Sequence, residues 1–396
     1  MDIRYSHSRV AATAFSVAVM AVVFGFFVPA ALTAHRFGVS EVASNFPLKQ
    51  MFLECNGGSR LLQMRRICNS RVRLKTGGVG FLRLTVPDFE SKAIAEVSFS
   101  KWLAGLGVPF IHVQAPTGVD KDGAVLPEGV VNEGNSRAEE FVRRLASEGV
   151  ETLDLIPRFA SSVSDIERYF FRSDHHWNYD AAFLATRTIA QRLLASLGED
   201  ERLAQRLNPK LWKRSERKGW RLGSHGARTG CLFSGVDDMM RYEPRFRTNL
   251  LRVEYGGNGI PSRHAGPFVK SMIAKRIWNE KAPFSRGIFS LHPRTLSRCD
   301  FFNDDAPCKK KILLIGDSFA RPVPAYLLAV FRNVIYVDPR KYGEVFPAGL
   351  RAFVSEAKPD AVIQLCNPTT LDAELGDNEM IPGSRHAFEY GPRTKR

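Results

Sequence analysis

The stretch KILLIGDSFA, residues 311–320, reads as a hydrophobic strand that ends in Gly-Asp-Ser. An unbroken apolar run bounded by a glycine suits a strand buried inside a sheet. Gly316 permits a sharp turn. Ser318 is then presented at the carboxyl end of a parallel strand, where open α/β sheets place their ligands. The sequence predicts a helix directly after it, whose N-terminal partial positive charge would help the Ser318 N–H stabilise an oxyanion. A helix N-cap is the alternative role for this serine.

The neighbouring segments keep the same rhythm. RNVIYVD (332–338) predicts a strand, GLRAFVSEAKP (349–359) a helix and DAVIQLC (360–366) a last strand. Upstream, AIAEVSFSKWLAGLG (93–107) is an amphipathic helix pattern and VPFIHVQAP (108–116) a buried strand. NSRAEEFVRRLASEG (135–149) predicts a helix opened by Asn135 or Ser136 and closed by Gly149, with VETLDLI (150–156) as the next strand. Alternation with short connections means βαβ units and a mostly parallel sheet flanked by helices. Residues 198–300 break this rhythm, being polar, basic and rich in Gly and Pro, and predict an insertion or lobe over the sheet. Residues 37–75 predict a tether and small cysteine-bearing element ahead of a main domain over 76–396.

At the N-terminus, Arg4 and Arg9 precede about 25 residues, Val10 to Ala34, that carry no charge. That length crosses a bilayer, which needs roughly 20 residues. AALTA is an imperfect cleavage site, so residues 1–36 predict an uncleaved transmembrane signal anchor, the alternative being a cleaved signal peptide. The basic residues on its N-terminal side place the N-terminus inside and the body outside, periplasmic or extracellular. Six cysteines suit an oxidising compartment and predict two local bridges, Cys55–Cys68 and Cys299–Cys308, with Cys231–Cys366 as a third. The formal charge of +15 has its densest source in NPKLWKRSERKGWRLGSHGAR, residues 208–228. Nucleic acid is excluded as a partner outside the cytoplasm. A solvated basic face, or a groove for an anionic glycan or phospholipid head groups, are the remaining readings.

A serine hydroxyl needs a base, and the base an orienting acid. YFFRSDHHWNYDAAF, residues 169–183, supplies both. In an extended segment residues i and i+2 share a face, so Asp174 would orient His176 while His175 points away. The same spacing would splay Asp174, His175 and His176 as metal ligands to opposite faces, so no metal and no cofactor is expected.

RSDHHWN, with LLIGDSF more than a hundred residues later, resembles the SGNH-hydrolase-like proteins of the alginate O-acetylation group and the bacterial proteins named for their DHHW motif. LGVPFIHVQAPTGV, LDLIPRF, GSHGARTG, DDMMRYEPRF and VIYVDPRKY support the resemblance, which spans roughly 75–375. It implies a flavodoxin-like SGNH fold and a Ser318, His176, Asp174 triad that takes an acyl group, usually acetyl, onto serine. Asn367 is the nearest candidate to complete an oxyanion hole, with a turn role as its alternative. Arg321 and Tyr342 are candidates for glycan contact. The resemblance further implies a polysaccharide acceptor and a membrane-bound acyltransferase as donor. A carbohydrate acetylesterase, or a non-catalytic glycan-binding protein on the same scaffold, are the rival readings.

Overall fold

The computed structural model describes residues 49–82, 84, 89–255, 261–273, 298–338 and 349–370. Helix α1 spans Lys49–Leu62. Two units divide at Asn56 and Gly57, and all that follows concerns the second.

That unit opens with a small antiparallel sheet, β1 (Ile67–Cys68), β2 (Arg71–Arg73) and β3 (Val79–Phe81). Helix α2 (Glu90–Gly105) then leads to β4 (Phe110–Gln114), and α3 (Gly134–Ser147) to β5 (Glu151–Asp154). Asn135 does not cap α3. Its Oδ1 accepts from the backbone N–H of Thr117 at 2.7 Å and its Nδ2 donates to Val119 at 2.7 Å, so it braces the loop after β4. Gly149 closes the helix with φ of 81°, a conformation that favours glycine.

Helix α4 (Tyr179–Ser196) precedes a hairpin of β6 (Trp212–Arg221) and β7 (Asp237–Pro244). Next come β8 (Leu250–Tyr255), β9 (Ser262–Gly266), β10 (Arg298–Asn303) and β11 (Cys308–Gly316). A short α5 (Val323–Leu327), β12 (Phe331–Val337), α6 (Leu350–Ala357) and β13 (Ala361–Cys366) complete the fold.

The main sheet has the order β5-β4-β13-β11-β12-β10-β8-β9. The run from β5 to β12 is parallel, as the unalternated apolar strands require, and β11 lies inside it between β13 and β12. Strands β10, β8 and β9 add antiparallel at one edge. The 198–300 segment is therefore not a lobe over the sheet alone, because its β8 and β9 lengthen the sheet itself. Their alternating burial is too weak an apolar signal to read in the sequence. The predicted helix after Ser318 is also shorter than expected. A turn runs to Pro322 and the helix starts only at Val323, since Pro322 and Pro324 lack the N–H groups a longer helix needs.

None of the three predicted disulfides forms, for Cys55, Cys299, Cys308 and Cys366 are thiols. Cys299 sits on β10 and Cys308 on β11, with β12 between them. Two strand spacings are about 10 Å, beyond the roughly 7 Å limit on Cα separation for a bridge. The N-terminal anchor of residues 1–36 and Tyr342 lie outside the described residues. Among the described residues no helix is long and apolar enough to cross a membrane.

Candidate active site

The parallel strands converge on a crevice at their carboxyl ends, and the structure brings the Gly-Asp-Ser turn and the D-H-H-W loop together there. Tyr169 accepts from the N–H of Asn178 at 2.7 Å and the Phe171 N–H donates to the His176 carbonyl at 3.2 Å, so residues 171–176 form a tight loop. Asn178 then caps α4, accepting from the N–H groups of Asp180 and Ala181. The Trp177 indole N–H donates to the Phe319 carbonyl at 3.2 Å, and the His176 and Phe319 rings lie 5.0 Å apart. The tryptophan thus fastens the His176 loop to the residue after Ser318.

Asp174 is 4% exposed and its Oδ1 accepts from His176 Nδ1 at 2.8 Å. That bond puts the Nδ1 proton toward the carboxylate and leaves Nε2 as an acceptor. His176 Nε2 is buried and has no hydrogen-bond partner among the described residues. Burial, reinforced by His175, outweighs Asp174 and pushes the His176 imidazole down to about 3, so it is neutral at ordinary pH. Burial alone would raise Asp174, but Arg221 and His176 hold its carboxyl well below the usual range.

Ser318 lies half-buried in the turn just past β11. Asp317 is the pivot of that turn. Its Oδ1 accepts from the Phe319 N–H at 2.8 Å, while Oδ2 accepts from the Asn367 N–H, the Asn367 amide at 2.6 Å and the Thr370 hydroxyl at 2.9 Å. Asn367 therefore ties the end of β13 to the serine turn, and its Oδ1 accepts from Thr369. Arg321 turns to Asp338 at 3.5 Å, at the end of β12.

His175 departs from the expectation. The loop bends instead of running extended, so the His175 and His176 rings lie 3.9 Å apart and His175 Nδ1 meets the Ser224 hydroxyl at 2.9 Å. The two histidines and Asp174 do not splay, and one ligand atom from each falls within 4.8 Å of the others. They could together hold a metal ion in that geometry. The fixed charge of Arg221 on the same carboxylate opposes a second cation there.

Four contributors escaped the sequence reading. Arg221, 7% exposed, donates to Asp174 Oδ2, and the Ser224 hydroxyl donates to Oδ1 at 3.0 Å. Asp237 binds the Arg172 N–H, the Ser173 N–H and the Ser173 hydroxyl, anchoring the loop from below. His225 is buried and accepts at Nδ1 from Arg71 at 2.9 Å. Arg221 reaches the site because β6 carries extra residues between Arg217 and Arg221, around Gly219 with φ of 56°. Such a bulge re-aims the strand end. The signal was present in the basic 208–228 stretch, but other charges there form surface pairs, Arg214 with Asp180 and Glu216, and Lys218 with Glu216 and Asp238.

A parallel α/β sheet with Asp, His and Ser at its carboxyl edge defines an SGNH-like fold. Residues 89–223 match the family model of the SGNH hydrolase-like domain of the acetyltransferase AlgX. Over those residues the chain is similar to that domain, and it resembles the alginate O-acetyltransferase and DHHW-motif group. Among solved structures, Bacillus cereus PatB1 is similar over 74% of this chain and 95% of its own, with a TM-score of 0.59 at 16% identity. A DHHW family protein from Eubacterium siraeum is similar over 77% and 93%, with a TM-score of 0.54 at 14% identity. At these identities the likeness is one of fold. No curated protein matches the sequence.

Proposed function

We propose that the protein transfers an acyl group, acetyl in the first instance, to a polysaccharide hydroxyl through an acyl-serine at Ser318. One observation carries the reading: a neutral His176 held by buried Asp174 keeps an unpartnered, buried Nε2 beside the serine turn. Buried polar atoms of this kind are rare without a partner; the Ser318 hydroxyl does not bond to this one in the structure and must close on it for proton transfer.

The Ser318 Oγ gives its proton to His176 Nε2 as its C–O bond to the acyl carbon forms. The carbonyl oxygen takes the negative charge, and the Ser318 N–H, without a hydrogen-bond partner among the described residues, is the nearest donor for it. Collapse breaks the bond to the donor's leaving oxygen, which takes the proton from His176. A sugar hydroxyl then repeats the sequence: it loses its proton to His176, bonds the acyl carbon and frees Ser318, which regains its proton. Water in place of the sugar gives the esterase outcome. The AlgX description of the matched domain supports transfer.

The uncharged segment from Val10 to Ala34 supports a membrane tether with the body outside the cytoplasm, where a separate membrane acyltransferase would supply the donor. The test is acetyl release from an aryl acetate by the full-length protein in detergent, beside Ser318→Ala and His176→Ala. Release that both variants lose, with a serine-linked acetyl trapped in the parent, is the expected result. Equal rates in all three would overturn the reading and favour a glycan-binding protein.

A further inference from the structure

Beside the triad lies a cavity of about 310 Å³, walled by Phe81 from β3, Thr117 from the loop after β4, Phe170, His175, His225 and Phe319. Neither Ser318 nor His176 lines it, whereas Asp174 does. It adjoins the reacting atoms without containing them, and it has aromatic faces with a few polar groups between them, the pattern of a small-molecule subsite.

The protonation of His225 follows from its partner. A guanidinium has five N–H donors and no acceptor. Arg71 Nε donates to His225 Nδ1 at 2.9 Å, so Nδ1 must carry the lone pair and Nε2 the proton. Burial lowers Arg71 only to about 10, which leaves it charged at neutral pH. The ring cannot turn freely either. Phe81 packs edge-on to it at 5.0 Å, and the Arg71 guanidinium lies 4.9 Å from the same Phe81 ring. His225 is 1% exposed, yet its Nε2 has no hydrogen-bond partner among the described residues. The result is a neutral N–H donor of fixed tautomer, on a residue of the cavity wall and without a partner among the described residues.

We infer that this cavity is the acceptor subsite and that His225 Nε2–H donates to an uncharged oxygen, a hydroxyl or ring oxygen, of the sugar residue being acylated. This rests on the acyl-serine reading. The donor is neutral, so it selects an oxygen acceptor and gives no advantage to a carboxylate or phosphate. The nucleophile and base lie outside the cavity wall, so the contact acts chiefly on the acceptor step. Arg71 is a positioning residue that sets the tautomer.

The experiment uses the full-length protein in detergent, labelled with ¹⁵N-histidine. The wild type is expected to show His225 protonated at Nε2 and bare at Nδ1 at neutral pH. Glucose or N-acetylglucosamine at high concentration is expected to shift that Nε2–H resonance, and the shift to vanish in His225→Leu. A proton on Nδ1, or no shift with either sugar, overturns the inference. In parallel, His225→Leu should lower transfer to cellopentaose at least about tenfold more than it lowers aryl acetate release, the scale of one lost buried hydrogen bond. His225→Gln should recover part of the transfer by supplying an amide N–H. Equal loss of both activities in His225→Leu would place the residue in the acyl step and overturn the acceptor assignment. Loss of aryl acetate release in the wild type itself would instead sink the acyl-serine reading, while the tautomer and sugar-shift measurements would still judge the cavity.

Discussion

Asp174 accepts from His176 on one oxygen and from Arg221 on the other, both inside the protein. Removing one partner of a buried ion pair strands the other, at a cost of about 3–5 kcal/mol. Arg221→Met is therefore expected to lower unfolding free energy by about that amount, read from urea melts at neutral pH. An unchanged midpoint would mean that solvent reaches the carboxylate. The position of His176 near 3 sets a second expectation. A base that stays neutral keeps working in acid, so log kcat/KM for aryl acetate should hold through pH 6.5 and fall only as pH approaches about 3. The sign for stability is the same. The unfolded chain binds the His176 proton below about 6.5 while the folded one refuses it until about 3, so this group's contribution is full above that window and is lost on acidification through it. An activity limb near 6.5 would show an imidazole solvated like a free one. Asp174 and His176 were legible in the sequence because they are two residues apart and act on each other directly. Arg221, Ser224 and His225 were not, since only the fold carries a segment some fifty residues downstream back onto the loop.

At the scale of elements, the β6–β7 hairpin is the part that delivers this chemistry. Its root is an aromatic stack: Phe183 of α4 lies parallel to Tyr242 at 4.3 Å and edge-on to Trp212 at 5.2 Å, with Tyr326 of α5 closing the group. Past the bulge the chain presses directly on the loop it serves. A Cβ on Gly223 would stand 2.4 Å from the Asp174 Cβ and 2.6 Å from the Ser173 carbonyl. Neither neighbour can yield without moving Asp174 and the loop that carries His176. Gly223→Ala should thus lower kcat/KM for aryl acetate by about a hundredfold, the effect of roughly 1 Å of misplacement, while an engineered change at exposed Val236 leaves it unaltered. Full activity in Gly223→Ala would show that the loop adapts. The central strands were readable from runs such as Ile312–Ile315 because burial on both faces demands unbroken apolar sequence. The hairpin was not, because β6 alternates charged residues over a polar face and its buried anchor, Trp212, looked like part of a basic surface.

For the molecule as a whole, the sheet buries a second charged group on the side of α2. His112 of β4 and Glu96 of α2 are both fully buried, 2.8 Å apart, with Gln364 of β13 donating to the other Glu96 oxygen at 2.8 Å. Lys92, on the same helix, donates to the Thr370 carbonyl, and Thr370 in turn donates to Asp317 beneath the serine. Helix α2 is thereby tied through polar contacts to the turn that carries Ser318, which no local sequence pattern announces. Burial would lower His112, but Glu96 and Cys366 overcome it and raise the imidazole to about 10. A raised pKa means that the folded state binds the proton more tightly than the unfolded one. The stabilisation is complete below the ordinary value of 6.5 and drains away as pH rises to about 10. Comparing wild type with His112→Leu across this range isolates the effect. The gap in unfolding free energy should be widest at and below pH 6.5, narrow steadily above it and level off past about 10, because the wild type then loses the proton that His112→Leu never held. A gap independent of pH would mean that the ring is neutral and that its contribution is packing alone.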